Sequence, residues 1–210
     1  MLAQVRAMLR DFGLREDLRA VLDDPTMTYS SAVYSSADEG LDAAAEAKLE
    51  RICRKLELAP TDHVVEIGTG WGGFAIHAAR HYGCRVTTTT ISREQHELAL
   101  ERIQAAGLQD RITVLLEDYR TLEGRFDKLV SIEMIEAIGR RYFDTYFRKC
   151  SDLLEPHGMM LLQAITIADQ RFEAASRSVD FIQRYIFPGS CIPSVAAMTD
   201  SVAQIGRAHV

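Results

Sequence analysis

The chain changes its hydrophobic rhythm near residue 60. Beyond it, short apolar runs at His63 to Ile67, Arg85 to Thr90, Ile112 to Leu116, Asp127 to Glu133 and Met159 to Thr166 read as buried strands. The stretches between them carry the wider helical period. One follows Thr90, opens with Ser92 and Gln95 in capping-box spacing, and closes at Gly107. Another, Arg140 to Leu154, puts Phe143, Tyr146, Phe147, Cys150 and Leu154 on one stripe and stops at Pro156. Before residue 60 the pattern is helical throughout. Met1 to Leu22 carries apolar Leu2, Val5, Leu9 and Leu18, and Leu41 to Leu58 carries Leu49, Ile52, Cys53 and Leu56, ending at Ala59-Pro60. Alternating strands and helices predict βαβ units, hence an α/β fold with a mostly parallel sheet and helices on both faces.

Composition narrows the picture. A chain of 210 residues with 47% apolar residues can bury one sizeable core. A net charge of -6 with mixed signs argues against a nucleic-acid binder that depends on a basic surface. Cys53, Cys84, Cys150 and Cys191 form no C-x-x-C pair and no metal-type spacing with histidine, so no metal is expected and a reducing cytoplasm is. No run approaches the roughly 18 apolar residues of a membrane span. Arg6 and Arg10 interrupt any signal-peptide core.

The chemistry begins at Val64 to Ala79, VVEIGTGWGGFAIHAA. Gly68, Gly70 and Gly73 fit G-x-G-x-x-G at a strand-to-helix turn, where backbone approaches a ligand at a helix N-terminus. The pattern admits NAD, FAD or S-adenosylmethionine. A dinucleotide site wants an acid at the end of the second strand, about 20 residues on. Here that strand ends in Thr87-Thr88-Thr89-Thr90. Glu66, two residues before the first glycine, suits instead a cationic methionine portion or a ribose hydroxyl.

Four separated segments, EIGTGWGG, TTTTISREQ, EDYRTLEGRFDKLVSIEMIEAIG and MLLQAITIADQ, make the chain similar, from Met27 to Ser194, to the S-adenosylmethionine-dependent cyclopropane-fatty-acyl-phospholipid synthases, which include the mycolic acid cyclopropane synthases. The resemblance implies a Rossmann-like class I methyltransferase. It places Tyr29 and Ser30 at the cofactor's methionine end and Gly68, Gly70, Trp71 and Gly72 under the cofactor. Thr90 and Gln95 would take over ribose recognition. Asp118, accepting from the exocyclic amine, would border the adenine with Tyr119.

In such an enzyme the alkene π electrons attack the sulfonium methyl, and a base then removes a proton from the new methyl so that the ring closes. The resemblance supplies a bound bicarbonate as that base, with Glu136 holding it, and Glu133 lies three positions before Glu136. Three positions depart from the family pattern: Ser31 replaces its cysteine, Ala137 a histidine, and Gln163 the histidine of the fifth strand. Ser31 and Gln163 still hydrogen-bond an anion but do not titrate near neutral pH. A methyl-branched lipid, a methylated small amine, or a silent cofactor-binding fragment therefore stay open beside ring formation.

The implied partner is an unsaturated phospholipid, reached by a cytoplasmic protein peripheral to the inner face of the membrane. Residues 1–60 are expected to be a helical segment covering the cofactor site, 61–168 the Rossmann-like core, and 169–204 a cap for the acyl chain. Phe172, Val179, Phe181, Ile182, Ile186 and Phe187 would line that cap, and Arg171, Arg177 and Arg184 would meet lipid phosphates, each contributing on the order of 1 kcal/mol. The residues 205–210, IGRAHV, resemble a translated sequencing adapter. They are expected to be an artefactual tail on a fragment lacking the sheet's antiparallel strand pair, which would leave the fifth strand as an open edge prone to aggregation.

Overall fold

A computed structural model describes residues 24–205. The expected Met1 to Leu22 helix, and the tail beyond Ile205, lie outside the described residues. The elements are α1 (Leu41–Lys55), β1 (His63–Ile67), α2 (Gly73–Tyr82), β2 (Arg85–Thr89), α3 (Arg93–Ala105), β3 (Ile112–Leu115), β4 (Phe126–Ile132), α4 (Phe143–Leu153), β5 (Leu154–Gln163), α5 (Asp169–Ser176) and α6 (Val195–Gln204). The strands form one five-stranded sheet in the order β3-β2-β1-β4-β5. β1 pairs in parallel with β2 and β4, and β2 in parallel with β3. The α/β expectation is met.

Contacts divide the chain into two compact units. Among the described residues one comprises 24–131 and 153–161, the other 132–152 and 162–205.

The first unit holds the sheet. Val64, Val65 and Ile67 of β1 and Leu129 and Val130 of β4 are buried, as continuous apolar runs at the middle of a parallel sheet should be. α2 packs on β2 and β3, α3 on β3, and α1 against α2. The apolar stripe of α1, Ala44, Ala45, Leu49, Ile52 and Cys53, supplies that last contact's buried face. β5 starts five residues before the expected Met159. It runs through Pro156, which is tolerated more readily here than in a central strand because β5 lies at the edge of the sheet. The cysteines of the described chain are free and buried. Burial pushes Cys84 up to about 11 and Cys53 to about 12, which leaves them as inert thiols.

The second unit contains α4, α5, α6 and the turns Ile135–Ala137 and Ile182–Ile186. Phe143, Tyr146, Phe147, Cys150 and Leu153 of α4 are buried, matching the expected stripe up to its last member. Ser194 caps α6 by accepting from Ala197 N at 3.2 Å, and Asp169 of α5 accepts from Ala196 N at 2.9 Å, so a capping bond ties the two helices.

Candidate functional site

The glycine turn after β1 forms as its sequence requires. Gly68, Gly70 and Gly72 all have positive φ, and the N–H groups of Gly68 and Thr69 donate to Thr89 O at 3.1 and 3.0 Å, fastening the turn to the end of β2. The threonines at that end have separate tasks. Thr88 Oγ1 donates to Thr69 Oγ1 at 2.8 Å, and Thr89 Oγ1 donates to Glu117 O at 2.5 Å. No side chain caps α2 at Gly72, so the first amides of the helix are left to whatever the turn receives.

A strap over residues 24–31 closes on this turn. Asp24, buried, accepts from Thr26 N at 2.7 Å and from Thr28 N at 3.2 Å, folding D-P-T-M-T into a compact bend. Arg102 of α3 then pins the bend: its guanidinium donates to the carbonyls of Pro25 at 2.7 Å, Thr26 at 3.2 Å and Trp71. Trp71 is buried. The strap passes so close to α2 that a Cβ on Gly73 would stand 2.7 Å from Thr26 O and 3.2 Å from Thr28 Oγ1. Gly73→Ala is therefore expected to push the strap off α2 and destabilise the fold by about 1–3 kcal/mol, as overpacking against backbone does. Thermal unfolding checks this. An unchanged midpoint would mean that the approach is not as close as described.

The strap delivers Tyr29 and Ser30 to the turn. The Tyr29 ring lies against Gly70, where a Cβ would meet Cε1 at 3.4 Å, and its hydroxyl accepts from Gln95 Nε2 at 3.2 Å. Gln95 Oε1 in turn accepts from Thr90 Oγ1 at 2.8 Å. The Ser92–Gln95 capping box forms only in half. Ser92 Oγ accepts from Gln95 N, but the Gln95 side chain is spent on Thr90 and Tyr29, and Thr90 Oγ1 accepts from Ser92 N at 3.1 Å in its place. Thr90, Gln95 and Tyr29 are thus joined in one chain of hydrogen bonds beside the turn. Ser30 Oγ accepts from Lys48 Nζ at 2.6 Å, and Ser31 is exposed on the same strap.

Glu66 is the most constrained carboxyl of this unit. It is 3% exposed, and its Oε2 is buried without a hydrogen-bond partner. Burial drives its pKa up to about 8, and the Thr88 hydroxyl offsets this only in part. Near neutral pH it is a neutral acid that an arriving cation would ionise. Asp118 is fastened by Arg120 instead, accepting from Nε at 2.9 Å and from the terminal guanidinium nitrogen at 2.7 Å, with Arg120 N at 2.9 Å. These bonds hold its pKa below the ordinary aspartate value. It caps the turn Tyr119–Thr121, in which Tyr119 is buried.

The second unit brings together Glu133, Glu136 and Gln163. Glu133 follows β4 with φ of 49°, a left-handed conformation that costs a non-glycine residue roughly 1–3 kcal/mol and tends to accompany function. Its backbone N–H donates to Gln163 O at 2.8 Å and its Oε1 accepts from Gln163 Nε2 at 2.8 Å. Glu136 sits in the turn Ile135–Ala137 and is buried. Its Oε1 accepts from Ile165 N at 2.5 Å, its backbone carbonyl accepts from Cys191 N at 2.8 Å, and its Oε2 is buried without a partner. Burial raises its pKa, the Ile165 N–H opposes that, and nearby Glu133 adds to the rise. One oxygen is therefore held in place and the other is presented bare.

Sequence reasoning missed three participants: Asp24, Arg102 and Lys48. Arg102 bonds carbonyls remote in sequence and leaves no local signal. Lys48 does leave one, since it falls in phase with the apolar positions of α1.

A parallel sheet in the order β3-β2-β1-β4-β5, with a glycine turn after its first strand and hydroxyls rather than an acid at the end of its second, defines the Rossmann-like fold of class I methyltransferases. Comparison with known proteins agrees. The family model for mycolic acid cyclopropane synthetase matches residues 3–208, and the chain belongs to that family. It is 42% identical over 191 residues to cyclopropane-fatty-acyl-phospholipid synthase of Escherichia coli, which covers 90% of this chain and 47% of that protein. It is 40% identical over 200 residues to tuberculostearic acid methyltransferase UfaA1 of Mycobacterium tuberculosis, covering 92% of this chain and 47% of that protein. Mycolic acid cyclopropane synthase CmaA1, complexed with SAH and CTAB, superposes with a TM-score of 0.82 at 28% identity, over 91% of this chain and 70% of that one. The chain spans about half the length of these curated relatives.

Proposed function

We propose that this chain carries the S-adenosylmethionine site and the proton-handling carboxyl of an enzyme that acts on the cis double bond of an unsaturated phospholipid acyl chain and forms a cyclopropane ring. The observation that carries the reading is Glu136, a buried carboxyl with one oxygen fixed by Ile165 N–H and the other unpartnered. Two relatives point the same way by name, one a cyclopropane-fatty-acyl-phospholipid synthase and one a mycolic acid cyclopropane synthase solved with SAH.

The cofactor residues fit their part. Glu66 Oε2 lacks a partner and suits a cationic amino-acid end, while Gln95, held by Thr90 and Tyr29, is proposed to turn its second amide N–H to a ribose. Tyr29 and Ser30 reach the turn by the strap, and the resemblance assigns Asp118 and Tyr119 to the adenine. S-adenosylmethionine supplies an electrophilic methyl group. Glu136 then has the remaining duty, to hold a base such as bicarbonate at its bare oxygen or to accept the proton itself. Its raised pKa suits both, because the neutral carboxyl can donate to an anion and the ionised form is a stronger base than an ordinary carboxylate.

Gln163 supports a second reading. Its carboxamide cannot take up a proton and already donates to Glu133, so the family histidine it replaces has no titrating successor at that position. A methyl-branched lipid that keeps the whole methyl group is the product if the cation instead loses a proton from a neighbouring chain carbon, leaving a double bond, and the name of the tuberculostearic acid methyltransferase supports a branched product. Transfer of labelled methyl to unsaturated phospholipid, with none to its saturated counterpart, tests both readings against any other acceptor. Equal labelling of the two lipids, or of the head group, contradicts both.

A membrane-surface encounter rests on the second unit. Val179, Phe181, Ile182 and Tyr185 are exposed at 73%, 67%, 48% and 57%, in and just before the turn Ile182–Ile186. Among the described residues no helix is long and apolar enough to cross a membrane. The arginines play a smaller part than their number suggested. Arg177 pairs with Glu173 at 3.0 Å, and Arg184 lies over the Tyr185 ring at 5.6 Å. Phe181→Asp is accordingly expected to weaken binding to vesicles of unsaturated phospholipid by roughly 10-fold or more. Undiminished co-sedimentation would remove this segment from the membrane contact.

A further inference from the structure

The buried face of α1 is apolar apart from Lys48, which is 2% exposed among Ala44, Ala45, Leu49, Ile52 and Cys53. Burying an ammonium costs free energy that the bonds made to it must offset. Its Nζ stands 2.6 Å from Ser30 Oγ, a short, charge-assisted contact. An ammonium has donors only, so the hydroxyl accepts in this bond and its own proton must be offered to a different acceptor. Ser30 follows Tyr29, whose ring lies on Gly70, so the hydroxyl belongs to a residue one position along the strap from the turn. The same unit offers Glu66, with its bare buried oxygen, as the counterpart for a cation.

We infer that Lys48 is a positioning residue: it fixes the Ser30 hydroxyl as a donor to a ligand carboxylate and lends that corner a positive charge, so that the turn selects ligands ending in an amino acid over nucleosides without one. The inference rests on the S-adenosylmethionine reading. It assigns the two ends of a zwitterion to two places, the carboxylate to Ser30 with Lys48 behind it and the ammonium to Glu66.

Two ligands separate this role from a merely structural one. S-adenosylhomocysteine carries the amino-acid end, and 5′-methylthioadenosine has the same nucleoside and thioether without it. In titration calorimetry on the full chain, Lys48→Met is expected to weaken S-adenosylhomocysteine by about 10- to 100-fold, as loss of a charge-assisted bond does, and to leave 5′-methylthioadenosine unchanged. Ser30→Ala is expected to give the same selective loss, and the double variant no more than either single change. Ser30→Ala also decides the matter if Lys48→Met does not fold. Parallel losses for both ligands, or additive effects of the two substitutions, overturn the inference and leave the cofactor reading standing. Failure of the unaltered chain to bind either nucleoside overturns the cofactor reading and this inference together.

Discussion

Glu136→Gln lowers turnover by about 10²- to 10⁴-fold and leaves the dissociation constant for S-adenosylhomocysteine where it was. The carboxamide keeps the size of the side chain and an oxygen for Ile165 N–H, so the turn Ile135–Ala137 has no reason to refold. What it loses is the capacity to exchange a proton. The residues proposed to hold the cofactor, Tyr29, Ser30, Glu66, Thr90, Gln95, Asp118 and Tyr119, belong to the other compact unit, which is why affinity and turnover should separate. Steady-state rates with unsaturated phospholipid, beside calorimetric titration of S-adenosylhomocysteine, make the comparison. A matching loss of affinity would place Glu136 at the cofactor rather than at the proton.

Binding of S-adenosylmethionine at pH 7 releases close to one proton from the unaltered protein and almost none from Glu66→Gln. Glu66 has a pKa of about 8 when its Oε2 is buried without a partner, so at pH 7 it is largely protonated. A cation beside it favours the ionised form, and the proton must leave. Affinity should then rise as pH approaches about 8 and flatten above it. Titrations in buffers of different ionisation enthalpy count the proton. An equal count in the two proteins would show that Glu66 does not meet the cationic end.

The same group gives a stability test of opposite sign. Its folded pKa, about 8, exceeds the ordinary glutamate value of 4.5, so between those limits the folded chain holds a proton that the unfolded chain has lost. Its contribution to stability therefore falls as pH rises through that window, and Glu66→Gln removes the slope.

Much of this fold can be read from periodicity. Continuous apolar runs mark β1 and β4 as central strands, and the threonines ending β2 already exclude a ribose-binding acid. Boundaries slipped where local rules were overruled. β5 begins before Pro156 because the edge of a sheet tolerates proline more readily than a central strand does. Ser92 does cap α3, yet Gln95 leaves the capping box for Thr90 and Tyr29, since its side chain has better partners beside the turn. A pattern of local spacing sees only the first of these bonds.

The site was legible where it rests on short motifs and hidden where it rests on distant pairing. The glycine turn and Glu66 lie within a run whose spacing can be read directly, and Glu136 is marked by the family resemblance. Asp24 and Arg102, which fold the strap and fasten it to Trp71, depend on carbonyls whose place is set only by the tertiary fold. Gly73 belongs to both groups. Its place in G-x-G-x-x-G marks a close approach, but the sequence does not say that the approaching chain is Thr26.

The most direct test of ring formation follows the hydrogens of the transferred methyl group. With S-adenosylmethionine carrying a fully deuterated methyl, closing a cyclopropane requires one deuteron to leave, so lipid mass spectrometry should find an added carbon bearing two deuterons, and carbon NMR should show it as a saturated ring carbon rather than a methylidene of equal mass. An added carbon that keeps all three would contradict the ring-forming account and establish the methyl-branched product in its place.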